Sequence, residues 1–131
     1  YPFELRDALY MYEVGKTPVK SITQFEWIDG GIPDEVKDFA SLLVEGTVTN
    51  LEKIDSLIRD YSRNWKPERL TVIDKSILRL AIFEMMFMTD IPTVVTINES
   101  IELGKTFGGE NSGQFINGIL DAVKKHELNE E

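Results

Sequence analysis

The chain has 131 residues, of which 42% are hydrophobic and 28% are charged, a composition typical of one globular domain that excludes a disordered tail or a fibre. Fourteen Lys and Arg residues stand against 23 Asp and Glu, giving a net charge of −9. Such a surface repels phosphate backbones on average, so any nucleic-acid binding must be local or shared with a partner. The absence of cysteine excludes disulfides, thiolate metal sites and thiol nucleophiles, and it favours the cytoplasm. The longest apolar stretch, 77–88, is far shorter than the ~20 apolar residues of a membrane span.

Apolar residues recur at helical spacing through the first half of the chain and predict four helices there. The predicted helices cover 3–14, 18–28, 36–48 and 51–61. Asp34 is the expected N-cap of the third helix, and we expect a break at Asn50 between the third and the fourth.

Three more helices are predicted in the second half of the chain. They cover 70–88, a span that starts between 93 and 97 and ends at 107, and 112–126. The first of these carries apolar side chains almost all round, so we expect it to be central and buried. Thr96 and Glu99 have the spacing of a capping box at the start of the next helix. The Gly108–Gly109 pair stops that helix, and Asn111 or Ser112 caps the last one.

No segment alternates like a strand for long, so the predicted fold class is all-α, with about seven helices around one or two packed cores. One domain is expected over 1–131. Its first part contains helices one and two and parts of helix three to about residue 48, and the central helix and C-terminal bundle occupy about 50–126.

The strings that suggest catalysis fail on spacing. Gly104-Lys105-Thr106 resembles the end of a phosphate-binding loop, but that motif needs a glycine where Glu99 stands. His126 is the only histidine, and without cysteine it forms neither a catalytic triad nor a zinc set. Glu99 and Glu102, one turn apart, fit a solvated helix face better than a proton-sharing pair. The sequence therefore predicts no enzyme, no cofactor and no metal site.

Polar residues and glycines crowd into 104–118, between the last two predicted helices. Four neutral side chains with donors and acceptors surround Phe115, namely Asn111, Ser112, Gln114 and Asn117. Such a group suits the stacking and edge reading of an unpaired base. A tight interhelical elbow with Phe115 in the core explains the same residues, and the pattern leaves both interpretations open.

A second candidate for nucleic-acid binding follows the fourth predicted helix. Basic residues outnumber acidic ones here and aromatics are interleaved; the residues are Arg59, Arg63, Lys66, Arg69, Tyr61 and Trp65. Basic and aromatic residues can follow an RNA strand, although ordinary helix-end charge and an aromatic wedge between helices explain them too. Arg79 lies on the most apolar helix, so it must pair with a carboxylate, extend its charge to solvent or face a functional surface. Pairing is favoured, with a carboxylate such as Asp74, Glu84 or Glu102.

Five stretches of the chain carry a family resemblance. They are Ala8-Leu9-Tyr10, 72–81 (VIDKSILRLA), Ile91-Pro92, 96–105 (TINESIELGK) and 107–121 (FGGENSGQFINGILD). Together they closely resemble NusB, a family of bacterial transcription antitermination factors. The similarity covers nearly the whole chain and is most specific from about Trp65 to Asp121.

The resemblance implies an all-helical fold of two small bundles, no catalysis, and a heterodimer with the small-subunit ribosomal protein that doubles as NusE. The pair would bind single-stranded boxA RNA of ribosomal leader transcripts and help load an antitermination complex onto RNA polymerase. Carried over residue by residue, the RNA contacts would be Phe115, Asn111 and Gln114, with Tyr61 and Arg79 as further candidates, and the ribosomal-protein contacts would be Tyr10 and Asp74. The resemblance also leaves open a homodimer that buries the RNA face.

One departure from the family is the arginine-rich segment that its members carry ahead of the Ala-Leu-Tyr helix. Only Arg6 stands there after Tyr1, so either arginines precede Tyr1 or the chain binds RNA more weakly alone. A basic ribosomal partner would supply the phosphate neutralisation that a chain of charge −9 lacks. The alternative function is a helical protein-interaction module that never touches RNA. A domain fused to a ribosomal-RNA methyltransferase is disfavoured because no cofactor-binding sequence follows.

Overall fold

The computed structural model describes residues 34–65 and 70–130, and these form five α-helices with no strand among them. The helices are α1 (Asp34–Thr49), α2 (Leu51–Tyr61), α3 (Val72–Phe87), α4 (Thr93–Phe107) and α5 (Ser112–Glu127). They correspond to the third to seventh predicted helices and confirm the all-α class. The first two predicted helices, and Tyr10 with them, lie outside the described residues. No helix in the described ranges is long and apolar enough to cross a membrane.

Helix α3 is the centre of the described fold, as its sequence predicts. The Thr71 hydroxyl accepts a hydrogen bond from the Asp74 backbone N–H at 3.1 Å and so caps its first turn. Helices α1, α2, α4 and α5 all pack against α3. The apolar side chains that α3 buries are Ile77, Leu78, Leu80, Ala81, Ile82, Phe83 and Met85. A helix covered on this many sides has no amphipathic stripe, which explains its nearly continuous apolar sequence.

The expected break at Asn50 is confirmed. The backbone N–H and the side-chain Nδ2 of Asn50 both donate to the Gly46 carbonyl, at 3.1 and 2.8 Å. The side chain therefore closes the end of α1 and makes no capping bond to α2.

The capping box predicted at Thr96 is wrong. Helix α4 begins at Thr93, one turn earlier than that pattern requires. Thr96 is buried, and its hydroxyl donates to Glu84 Oε1 of α3 at 3.0 Å. Burial raises the pKa of the Glu84 carboxyl above its usual range, the Thr96 hydrogen bond opposes that rise, and the nearby Glu99 adds to it. The hydroxyl of Thr96 thus satisfies a carboxylate that has been drawn out of water.

Helix α1 packs tightly against α3 at Gly46. A Cβ atom placed on Gly46 would lie 2.2 Å from Cζ of Phe83, a core residue that is 6% exposed. Only glycine fits here, because the Phe83 ring occupies the volume that any side chain would need.

We expect the Gly46→Ala substitution to lower the free energy of unfolding by about 1–3 kcal/mol, because the added methyl group must displace a ring in a filled core. Urea denaturation measures the change. Gly109→Ala is the matched control, since the nearest atom to a Cβ there is Ser112 Oγ at 3.9 Å. A loss of equal size in both variants would contradict the close contact.

Candidate nucleic-acid interface

The connection between α4 and α5, hereafter the elbow (residues 104–118), is as tight as its glycine content predicts. A Cβ on Gly104 would lie 2.7 Å from Ile116 Cδ1 and 3.3 Å from the Gly113 nitrogen. The Gly108 N–H donates to the Gly104 carbonyl at 2.9 Å, and the Gly109 N–H donates to Ser112 Oγ at 2.8 Å. The start of α5 is therefore held at a fixed position against the end of α4.

The polar side chains of the elbow divide into one that is buried and three that face solvent. Ser112 is 4% exposed, whereas Asn111, Gln114 and Asn117 are exposed. Asn111 occupies the N-cap position of α5, but its side chain makes no capping hydrogen bond. Across residues 34–65 and 70–130, the structure gives none of these three amides an intramolecular hydrogen bond. The elbow thus presents three exposed amide groups whose donors and acceptors are not used by any described residue.

Phe115 is a core residue in this structure. Its side chain is 1% exposed, and its ring meets the Trp65 ring edge to face, with centroids 4.8 Å apart. The expectation that Phe115 offers a free ring to a base therefore has to be corrected, because neither face of the ring reaches solvent. Of the two interpretations that the sequence leaves open, burial in the elbow is the one that the geometry supports for this residue.

Tyr61, at the end of α2, is occupied by the end of α5. Its hydroxyl donates to Glu127 Oε2 at 2.5 Å, and its ring stacks on His126 with centroids 5.8 Å apart. The hydrogen bond to the carboxylate, with smaller effects of burial and of the charges on Glu127 and Asp60, raises the pKa of Tyr61 to about 12. Tyr61 therefore joins two helices, and its ring is not free to stack on RNA in this conformation.

Arg79 pairs with a carboxylate, as expected, but the carboxylate is that of Asp55, which is not one of the expected candidates. Its Nε and Nη2 donate to Oδ1 and Oδ2 of Asp55 on α2, both at 2.8 Å. The Arg79 side chain is 4% exposed and that of Asp55 is 20% exposed. This bidentate salt bridge directs the guanidinium towards α2. The expectation that Arg79 faces RNA therefore has to be corrected, because its side chain is directed into the protein.

Asp74, expected on the surface that meets the ribosomal protein, is 2% exposed in the first turn of α3. Its Oδ1 atom is buried and has no hydrogen-bond partner in the part of the chain that the structure describes. Asp74 therefore offers little surface to a partner in this conformation. Tyr10, the other residue expected at that surface, lies outside the described residues.

The charges around the elbow are balanced. Lys105 and Glu110 are the charged residues within 104–118. The Nζ atom of Lys105 lies 3.6 Å from Oε1 of Glu102, so the two side chains form a salt bridge. In the basic strip after α2, Arg59 and Arg63 are exposed, and Arg63 contacts Asp60 at 3.2 Å. The other two residues of that strip, Lys66 and Arg69, fall outside the described ranges. The described interface is thus polar and neutral, without a concentration of positive charge.

A cavity of about 190 Å³ lies between α1, α3 and α4. Its lining is mostly apolar, with Glu84 and Glu99 among the polar exceptions. None of the residues expected to contact RNA lines it, so the cavity and the exposed amides are separate features. No cluster of His, Asp or Glu able to hold a metal ion occurs within 34–65 and 70–130.

Comparison with known proteins places the chain beside one family. The model of the NusB family matches residues 6–125. The transcription antitermination protein NusB of Syntrophus aciditrophicus is 47% identical over 126 residues, which are 95% of this chain and 78% of that protein. The solved structure of NusB from T. maritima aligns with a TM-score of 0.84 and 39% sequence identity. The alignment covers 95% of this chain and 87% of the T. maritima chain. A solved complex of the antitermination factors NusB and NusE with double-stranded RNA aligns with a TM-score of 0.77 at 25% identity, over 93% of this chain and 94% of that one.

The Arg79–Asp55 pair predicts a large effect of removing the carboxylate. We expect Asp55→Ala to lower the free energy of unfolding by about 3 kcal/mol, because it removes the carboxylate that accepts from Nε and Nη2 of a buried guanidinium. Thermal or urea denaturation measures the loss. Asp60→Ala is the matched control: its Arg63 pair is exposed, and we expect a change below about 0.5 kcal/mol. Similar losses in the two variants would show that the buried pair has no special weight.

The Tyr61–Glu127 hydrogen bond predicts a tyrosine that ionises late. With its pKa raised from 10.0 to about 12, Tyr61 contributes stability that is fully present below pH 10 and is lost as the pH rises towards 12. In Glu127→Gln the first cause of the shift is removed, and we expect the Tyr61 titration to move down towards pH 10. Near-ultraviolet absorbance follows the phenolate, and Tyr61→Phe identifies the signal. An unchanged titration in Glu127→Gln would refute the bond.

Proposed function

The chain belongs to the NusB family, and on that premise we propose that it is an RNA-binding adaptor in bacterial transcription antitermination. It binds boxA-type single-stranded leader RNA together with the small-subunit ribosomal protein NusE, and the pair joins the antitermination complex on RNA polymerase. The family is not enzymatic, and the adaptor works by binding alone.

The observation that carries this proposal is the set of exposed amides at the elbow. An amide side chain offers both a donor and an acceptor, which is what the edges of unpaired bases require of a protein that distinguishes them. The three amides Asn111, Gln114 and Asn117 lie within about two turns of α5. Their side chains make no hydrogen bond to any other described residue. A purely structural elbow needs its glycines and Ser112, but it does not need these side chains.

The charge of the chain supports a shared mode of binding. A net charge of −9 opposes the approach of a polyanion, and the elbow carries no excess of positive charge to offset it. A basic ribosomal partner supplies the missing cations and is itself attracted to an acidic surface. The solved assembly of NusB and NusE with RNA is an example of such a three-component arrangement.

The residues assigned by family resemblance take different parts in this proposal. Asn111 and Gln114 contact RNA directly. The buried side chains Phe115 and Arg79 and the half-buried Tyr61 support RNA binding indirectly, by fixing α2 and α5 in place. On the ribosomal-protein side the proposal keeps Tyr10 and Asp74. The buried Oδ1 of Asp74 has no hydrogen-bond donor among the described residues, and a donor from another chain would satisfy it if the side chain turned outward.

The broader description of the chain belongs to the same proposal. It is a single domain over 1–131, with about seven helices in two small bundles divided near residues 48–50, and it acts in the cytoplasm. A homodimer that covers the RNA face is the competing assembly, in which self-association would oppose RNA binding.

A second candidate function is favoured by the burial of Phe115 and Arg79. If the elbow serves packing only, the chain is a helical module that binds proteins and never touches RNA.

Fluorescence anisotropy with a labelled boxA RNA tests the proposal. We expect tight binding when NusE is present and weak binding by the chain alone, because the chain cannot neutralise phosphates unaided. Asn111→Ala and Gln114→Ala should each lower the affinity of the NusE complex for RNA by about 2- to 10-fold, the usual weight of one hydrogen bond. Asn98→Ala, an exposed amide on α4, is the matched control and should leave the affinity unchanged. NusE binding without any gain in RNA affinity would establish the protein-only module instead.

A further inference from the structure

The burial of Phe115 leaves the elbow without the stacking ring that single-strand recognition normally uses. We infer that Trp65, rather than Phe115, is the aromatic side chain on which a base of the bound single-stranded RNA stacks. This inference rests on the proposed function and names the residue that supplies stacking to the same site.

Trp65 lies directly against the start of α5, just beyond the end of α2. Its ring meets the Phe115 ring edge to face, at 4.8 Å between centroids and an interplanar angle of 86°. Its Cζ2 atom lies 3.4 Å from the position that a Cβ on Gly118 would take. The indole therefore packs against a buried ring and lies beside Gly118, which has no side chain.

Two of the three exposed amides, Asn111 and Gln114, lie on the side of α5 that Trp65 contacts. Residues 111, 115 and 118 follow the i, i+4, i+7 spacing of one face of α5, and Gln114 lies one turn before Gly118. Trp65 contacts the Phe115 and Gly118 positions, so its ring adjoins the row on which Asn111 stands. Stacking on the indole would place the edge of a base near amide groups that can read it.

Trp65 is not fully enclosed by the described part of the chain. It is half-buried and packs against the edge of the core, so part of the residue reaches solvent. Its indole N–H makes no hydrogen bond within the described part of the chain and is not buried without a partner. A tryptophan that served only as a wedge would more often bury its ring or commit its N–H to the protein.

Among residues 34–65 and 70–130, the other two aromatic rings near the elbow are already engaged elsewhere. Tyr61 is stacked on His126 and bonded to Glu127. Phe107 lines the cavity between α1, α3 and α4. A base can stack on any exposed π-face, and indole is the largest such face that a protein offers.

Tryptophan fluorescence tests the inference, because a base stacked on an indole quenches its emission. The chain has two tryptophans, so Trp27→Phe leaves Trp65 as its only indole emitter. In complex with NusE, this variant should lose emission as a boxA oligonucleotide is added, and a scrambled oligonucleotide should quench less. The Trp27→Phe/Trp65→Phe chain in the same complex is the blank for emission from NusE. If Trp27→Phe does not fold, the difference in quenching between the unsubstituted chain and Trp65→Phe gives the same information.

Affinity supplies the second measurement. Trp65→Leu should weaken RNA binding by the NusE complex roughly 5- to 150-fold, the range for loss of one stacked base, and Trp65→Phe should weaken it less. NusE binding in the absence of RNA should not change, and the melting temperature of each variant shows whether it remains folded at the assay temperature.

The outcomes separate the inference from the proposed function. RNA binding by the unsubstituted complex with no quenching of Trp65, or with full affinity in a folded Trp65→Leu variant, would overturn the inference and leave the function standing. Failure of the unsubstituted complex to bind boxA RNA would overturn both.

Discussion

The bond between Arg79 and Asp55 is the interaction on which the arrangement of the described helices most depends. A guanidinium on the buried face of α3 cannot be solvated, so it requires a carboxylate at one position and in one orientation. Asp55 meets that requirement only if α2 lies in one register against α3. The end of α2 is then placed beside α5, where Tyr61 meets Glu127 and Trp65 meets Phe115. A charge inside the core thus positions the aromatic residues that surround the elbow.

The elbow is the other fixed point, and its contacts explain how its residues share two tasks. Glycines allow α4 and α5 to approach within the length of a side chain, and the buried Ser112 closes the turn. The amide side chains of Asn111, Gln114 and Asn117 point outward from a backbone that is already ordered. A ligand that binds there meets groups in their final positions, so less conformational entropy is lost than a flexible loop would lose. Rigidity for packing and readiness for recognition come from the same close approach.

Periodicity and capping chemistry were sufficient to predict the five described helices, the break at Asn50 and the central place of α3. The same periodicity indicates that Phe115 is buried. Together with Ile116, Ile119, Leu120 and Val123 it forms an apolar row that α5 must turn towards the core. The family resemblance points instead to an exposed Phe115 that contacts RNA. The partner of Arg79 could not be predicted, because Asp55 lies 24 residues away on another helix and the sequence does not give the register of that pair. The capping box at Thr96 fails for a similar reason. The sequence pattern is local, whereas the hydroxyl of Thr96 bonds to Glu84 on another helix.

The charge balance of the elbow has a consequence for how ionic strength acts on binding. Salt weakens protein–RNA complexes because each phosphate contact releases condensed counterions, and the slope of log affinity against log salt counts those contacts. In the proposed function the elbow reads bases with amides, and its one lysine pairs with Glu102, so the elbow itself adds little to that count. The proposal then assigns most of the salt sensitivity of the assembly to phosphate contacts outside the elbow, and the base discrimination at the elbow persists as the ionic strength rises.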